Sequence, residues 1–267
     1  FNPADNIQDL QNFGEFGGVN PSISDSSTYT FMAAKTMADT FEGNTDGCHL
    51  YSRHTTPSNL CLGEALAAME GTETANVSAS GMGAITPVLL QLCGAGDHIV
   101  SSRTIYGGTY AFLKNFTPRL AIQTSFVDIT NLEIVEAAIT ENTKVLYCES
   151  VSNPLLEVAN IKGLAALAKK YSLTLVVDNT FSPLSISPIQ LGADVVVHSL
   201  TKFINGSSDA VGGVVCGSQE FIDQLRSVID GACMLLGSTM DSLRASSILK
   251  NLRTLHIRMK QHSYNAS

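Results

Sequence analysis

The stretch that most constrains this chain is Ala193–Asp209, A-D-V-V-V-H-S-L-T-K-F-I-N-G-S-S-D. Its short apolar run, Val195–Val197, reads as a fully buried strand. Ser199, Thr201 and Lys202 follow at once, and then a polar loop containing Gly206. Open α/β sheets bind ligands just past the carboxyl ends of their strands, so a lysine here stands at a binding position. Desolvation there favours the neutral amine, which is both a nucleophile and a base. A surface lysine leaving the sheet fits the same residues, and the rest of the chain must separate the two readings.

The sheet itself is legible on either side. Apolar runs at Asn76–Ala79, His98–Ser101, Ala121–Asp128, Val145–Glu149, Thr174–Asp178, Val195–His198 and Gly213–Cys216 predict seven strands. Helical patterns at about 82–93, 107–116, 131–139, 161–171 and 218–229 fall between them. This alternation predicts one α/β domain with a mainly parallel seven-stranded sheet. Ahead of it, residues 1–30 read as polar loop and residues 31–42 as a short amphipathic helix. Residues 59–70 read as a helix with Asn59 as N-cap and Gly71 as its stop.

A hydrophobic content of 44% against 15% charged residues supports a large packed core. The net charge of -8, with no Lys/Arg-rich run, argues against nucleic acid or an anionic membrane as the main partner. No apolar run reaches transmembrane length. The six cysteines are scattered without C-x-x-C pairs, which points away from a disulfide framework or a zinc site and makes a cytoplasmic setting the expectation. The chain opens on Phe1, and Leu243, Ile248, Leu252, Leu255 and Met259 keep helical spacing near its end without a Gly or Pro stop. Residues 1–267 therefore read as part of a longer polypeptide.

Several residue groups carry candidate chemistry. Ser80-Gly81-Met82-Gly83-Ala84 lies at a strand-to-helix junction, where exposed backbone N–H groups favour a phosphate. A dinucleotide fingerprint is incomplete there, because Thr86 occupies the third Gly position. Asp178 ends a buried strand, and Lys202 follows it one strand–helix–strand step later. Neighbouring strands would then present an acid and an amine to one crevice. Pyridoxal phosphate chemistry needs that pair: a Schiff-base lysine, and an acid that keeps the pyridine nitrogen protonated so that the ring acts as an electron sink. Tyr106 opens a helix just after a strand and offers a ring for stacking and a hydroxyl for proton transfer, although packing tyrosines look the same. Asn153, in S-N-P, is either a turn residue or a donor to a cofactor hydroxyl. Ser199 and Thr201 offer hydroxyls to a phosphate, and Arg53 a planar fork suited to one.

Taken together, Y-S-R (51–53), S-G-M-G-A-I (80–85), Y-G-G-T (106–109), E-S-V-S-N-P (149–154), V-V-D-N-T (176–180), L-G-A-D-V-V-V-H-S-L-T-K (191–202) and L-R-T-L-H-I-R-M (252–259) resemble the Cys/Met-metabolism, or trans-sulfuration, family of pyridoxal 5'-phosphate enzymes. The resemblance runs from about residue 20 to the end and implies a fold-type-I, aspartate aminotransferase-like large domain. It implies that Lys202 carries the cofactor and then moves protons, that Asp178 holds the ring nitrogen, and that Ser80, Gly81, Met82, Ser199 and Thr201 cradle the phosphate. Tyr106 would stack on the ring and act in catalysis with Lys202, while Asn153 would bond the ring hydroxyl. Tyr51 and Arg53 would reach the phosphate of a neighbouring subunit, so residues 1–58 become an arm, 59–267 the cofactor domain, and the active unit a homo-oligomer, at least a dimer and usually a tetramer. A smaller C-terminal domain, bearing the arginine that grips the substrate carboxylate, would lie beyond Ser267.

The subgroup is less marked. The family's usual Asn-Pro after Y-S-R is Thr56-Pro57 here, the usual His-Gly-Asp or His-Ser-Asp after the lysine is Ser207-Ser208-Asp209, and Gly108 stands where specialised methionine γ-lyases often carry cysteine. S-G-M-G-A-I-T and T-Y-A-F-L resemble γ-lyases more than γ-synthases. The expectation is γ-elimination on a sulfur amino acid such as methionine, homocysteine or cystathionine. γ-Replacement on O-acetyl- or O-succinylhomoserine is the alternative, and a non-enzymatic phosphate- or nucleotide-binding module a remote third.

Overall fold

The computed structural model describes all residues except 11–13, 15–16 and 43–46. Part of the 1–30 loop reading therefore lies outside the described residues. Within that segment Asn2 caps a helix, α1 (Pro3–Asp9), its side chain accepting from the Ala4 N–H. This corrects the all-loop expectation. Asn at N-cap followed by Pro at the first helical position is a start signal, but the short run that follows shows little periodicity. α2 spans Ala34–Phe41.

α3 (Pro57–Glu70) starts earlier than the sequence reading placed it. The cap is Thr56, whose hydroxyl accepts from the Asn59 N–H, and Pro57 occupies the first turn. Asn59 lies inside the helix, where its amide donates to the Met240 carbonyl at 2.9 Å. Gly71 does stop the helix, in the left-handed conformation at φ 79°.

All seven expected strands form: β1 (Thr74–Ser78), β2 (His98–Ser102), β3 (Gln123–Val127), β4 (Thr143–Glu149), β5 (Thr174–Asp178), β6 (Val195–Ser199) and β7 (Gly213–Gly217). They join one sheet in the order β1-β7-β6-β5-β4-β2-β3. Only β7 runs against its neighbours, pairing antiparallel with both β1 and β6. The other six strands therefore point their carboxyl ends the same way.

Helices cover both faces. Along β5, Leu175 and Val177 join one core cluster while Val176 joins the other, the alternation that a pleated strand imposes. The first cluster packs α3, α7 (Ile161–Tyr171), α10 (Ser242–Leu252) and α11 (Leu255–Ala266) on one face. The second packs α4 (Gly81–Leu92), α8 (Gln219–Arg226) and α9 (Ala232–Leu236) on the other. Near-continuous Val and Leu runs in the central strands follow from this burial on both sides. The remaining helices are α5 (Gly107–Ala111) and α6 (Leu132–Ala137). The helix expected at 107–116 changes after Ala111 into a π-helical turn, Phe112–Phe116. Among the described residues, no helix is long and apolar enough to cross a membrane.

Candidate active site at the carboxyl edge of the sheet

Parallel strands bring the ends of β4, β5 and β6 to one edge, terminating in Glu149, Asp178 and Ser199. Register places Glu149 opposite Asp178, and Asp178 opposite Val197. Strand alternation puts Glu149, Asp178 and Ser199 on the α4 face, the face of Tyr147, Val176 and Val197.

α4 begins against this edge. Ser80 is its N-cap, with Oγ accepting from the Gly83 N–H at 2.9 Å. The amides of Gly81 and Met82, in the first turn, have no intrahelical acceptor and face out of the helix start. Gly81 is needed for space, because a Cβ there would lie 2.8 Å from the Ser199 Cβ and 3.0 Å from its Oγ. A Cβ at Gly213 would overlap the Ser80 carbonyl. Free first-turn amides, a small cradle and a serine hydroxyl are the groups that would suit a dianionic phosphate.

Asp178 is buried, 6% exposed. Its Oδ1 accepts from the Thr180 N–H at 2.9 Å, and the Tyr147 hydroxyl lies 3.5 Å from Oδ2. Burial pushes its carboxyl above the usual range, partly offset by the Thr180 hydrogen bonds. A cationic ring N–H delivered here would find a dry, pre-oriented acceptor. The Ser199 N–H donates to Thr180 Oγ1 at 2.8 Å, so Thr180 ties the end of β5 to the end of β6.

Lys202 lies in the turn after β6, its N–H directed at the Ser199 carbonyl and its own carbonyl accepting from the Gly206 N–H at 2.8 Å. Its side chain is exposed, so the desolvation expected from its place past a buried strand is not supplied by the residues described. Thr201 points back into the fold: Oγ1 accepts from the Gly212 N–H at 3.1 Å and lies 3.3 Å from the Gly212 carbonyl.

Tyr106 and Asn153 meet through a residue that sequence reading did not single out. Glu149 Oε1 accepts from the Tyr106 N–H at 2.5 Å, and Oε2 from the Asn153 N–H at 3.1 Å. One carboxyl group thus sets two loops beside the strand ends, with the Tyr106 side chain 52% exposed above them. Burial, and then the neighbouring Asp178, push the Glu149 carboxyl up to about 7 against the pull of its two N–H donors. On the opposite face, His198 Nε2 lies 2.6 Å from Glu70 Oε1, and the Asn179 amide donates to the same oxygen at 3.2 Å. Asn179 and His198 flank Asp178 and Ser199 in sequence, whereas Glu70 comes from the end of α3. Only their placement inside apolar runs hinted at them.

Tyr51 and Arg53 stand elsewhere. Tyr51 forms an isolated bridge with Thr28, and the Arg53 guanidinium donates to the Met234 carbonyl at 2.7 Å. The Arg53 carbonyl accepts from the Thr239 hydroxyl at 2.9 Å. Their bonds lead to the 28 and 234–239 segments rather than to the strand-end group, which the 234–239 segment touches through Ser238 and Ala79.

Known proteins resemble this chain in sequence and in fold. The chain is 47% identical to a methionine gamma-lyase of Arabidopsis thaliana over 99% of its length and 61% of that protein's. It is 41% identical to an O-succinylhomoserine sulfhydrylase of Pseudomonas aeruginosa over 90% of its length and 59% of that protein's. It thus spans about three fifths of these relatives. A Campylobacter jejuni crystal structure carrying N'-pyridoxyl-lysine-5'-monophosphate superposes with a TM-score of 0.90 at 29% identity, covering 100% of this chain and 74% of that one. The fold-type-I expectation agrees with this superposition. The family described as Cys/Met metabolism PLP-dependent enzyme matches residues 5–267, and the chain belongs to it.

Proposed function

We propose that this chain forms the cofactor-binding part of a pyridoxal phosphate-dependent carbon–sulfur lyase that performs γ-elimination on a sulfur amino acid. The observation that carries the reading is the packing of Gly81 against Ser199, which brings the start of α4, the buried Asp178 and the Lys202 turn to one edge of the sheet. A phosphate seat, an acid and an amine are the three anchors that the cofactor requires.

When bound, the cofactor supplies an electron sink for a carbanion at the substrate Cα. Ser80, Gly81, Met82 and Ser199 hold its phosphate, and Thr201 fixes the turn that carries Ser199 and Lys202. Asp178 accepts the ring N–H, and Asn153 bonds the ring hydroxyl. Lys202 would anchor the cofactor's carbonyl carbon until the substrate amine takes its place there, and the freed Nζ would then remove the Cα proton and relay protons between Cα and Cβ. Tyr106 would stack on the ring, and its hydroxyl would give a proton to the departing sulfur. Overall, the Cγ–S bond breaks, a thiol leaves with a proton, and water releases ammonia and a 2-oxo acid. Residues 1–58 form an arm and 59–267 the cofactor domain, and Tyr51 and Arg53 serve a neighbouring copy.

The similarity to an O-succinylhomoserine sulfhydrylase supports a second reading, γ-replacement on a homoserine ester. Absorption spectra of the purified protein and of Lys202→Ala, with L-methionine, L-cystathionine or O-acetylhomoserine, test both. A lysine-dependent visible band with 2-oxo acid release from a sulfur amino acid is the expected result. Thioether formation from the ester and added thiol would favour replacement, and the lack of any band after pyridoxal phosphate is added would overturn the enzyme reading.

A further inference from the structure

The turn that carries Lys202 is gripped from outside the sheet. Arg258, on α11, spreads its guanidinium over it: Nη1 donates to the Phe203 carbonyl, and Nη2 to the Ile204 carbonyl at 2.8 Å. The same fork is anchored to its own helix pair, with Nη2 2.9 Å from the Asn251 carbonyl and Nε 3.2 Å from Thr254 Oγ1. α10 adds a second hold: the Asn251 amide donates to Asn205 Oδ1 at 2.8 Å and lies 3.2 Å from the Ser207 hydroxyl. Arg244, also on α10, donates to the Asp209 carbonyl at 2.8 Å. Gly206 is shaped for this contact, with φ at 72° and with Arg258 filling the space a Cβ would take. Phe203 packs edge-on against His262 of α11, with ring centroids 5.1 Å apart.

The two carbonyls gripped by the fork directly follow the lysine in the chain. A planar guanidinium reads two successive carbonyls at once, whereas an ammonium is a point donor on a flexible stem. The turn's own backbone bonds, Gly206 N–H to the Lys202 carbonyl and Asn205 N–H to the Leu200 carbonyl, close it locally, and Leu200 N–H and the Thr201 hydroxyl tie its start to Gly212, whereas the carbonyls just after the lysine are held by the fork. Lys202 itself is exposed, so side-chain packing does not orient it. We propose that Arg258 is a positioning residue for Lys202, and that α10 and α11 clamp the lysine turn in the geometry that accepts a carbonyl cofactor. This rests on the cofactor reading above.

The test compares the purified protein with Arg258→Ala, Arg258→Lys and an exposed control on α11, Lys260→Ala. Hydrogen exchange across residues 200–209 of the cofactor-free protein reads the clamp. Pyridoxal phosphate titration, and the pH at which its visible band titrates, read the positioning. Both Arg258 variants are expected to exchange at Asn205 and Gly206 at least about tenfold faster, to bind the cofactor about tenfold or more weakly and to shift the band's titration, with Lys260→Ala unchanged. Should Arg258→Ala fail to fold, Arg258→Lys decides by the same readouts. Unchanged exchange would overturn the clamp. Faster exchange with unaltered cofactor affinity and band titration would overturn the positioning role. A parent protein that forms no band at all would overturn the cofactor reading, and the positioning role with it, whatever the exchange showed.

Discussion

Glu149 holds two loops on one carboxyl group, and its burial beside Asp178 makes the stability of the fold depend on pH. An unstructured Glu releases its proton near 4.5, whereas folded Glu149 keeps it up to about 7 because burial and Asp178 disfavour the charge. Between those values the folded state binds more protons than the unfolded state. The stability that this group contributes is therefore fully present below about pH 4.5 and is lost as the pH rises through about 7. A shift of that size corresponds to a contribution of up to about 3 kcal/mol. Thermal melts of the cofactor-free protein from roughly pH 5 to 8 are expected to show a decline that Glu149→Gln flattens. An equally steep decline in the variant would count against this account. The importance of Glu149 was hard to see in the sequence because it arises from two backbone N–H groups, of Tyr106 and Asn153, that only the fold gathers. Asp178 and Lys202 stand out more readily as candidates, since Asp178 ends one recognisable buried strand and Lys202 follows another.

At the scale of elements, α4 joins stability to binding. Its start is crowded by design: Gly81 lies against Ser199, and Gly213 lies under the Ser80 carbonyl. Gly81→Ala places a methyl group 2.8 Å from the Ser199 Cβ, so β6 or the helix start must shift. The expected cost is about 1–3 kcal/mol in urea unfolding, the range for overpacking a close contact. Pyridoxal phosphate affinity should also fall about tenfold or more, because the first-turn amides move with the helix. Full affinity with unaltered stability would refute the cradle. The strands were legible in the sequence because both sheet faces are covered, which leaves unbroken Val and Leu runs bounded by Gly, Asp and Ser. Other features were not. The Thr56-Pro57 start of α3 is a recognisable signal, but Asn59 competes with it as a cap, and only the fold shows that the Asn59 amide reaches across to Met240. The π-helical turn at Phe112–Phe116 has no comparable mark, since its apolar residues also fit an ordinary helix.

At the scale of the molecule, Tyr51 and Arg53 are the residues that one chain leaves unexplained. Both were expected to serve a phosphate, yet here Arg53 is tied to the Met234 carbonyl and lies 5.7 Å from the Tyr51 ring. Tyr51 is exposed, as are Leu235 and Leu236 of the adjoining α9. If a second copy receives this arm, its site would be built from two chains, with Lys202 from one and Arg53 from the other. Two defective variants then become complementary. Lys202→Ala lacks the amine in every copy, and Arg53→Ala lacks the arm's guanidinium in every copy, but a mixed pair contains one site with both residues intact. Random reassortment in a two-fold assembly makes half the pairs mixed, so about a quarter of the parent's 2-oxo acid production should return when subunits are exchanged under mild denaturant and refolded together. Each variant refolded alone supplies the baseline. Recovery no greater than the sum of those baselines would place Arg53 in the service of its own chain, and its hold on the 234–239 segment beside α4 would then be its role.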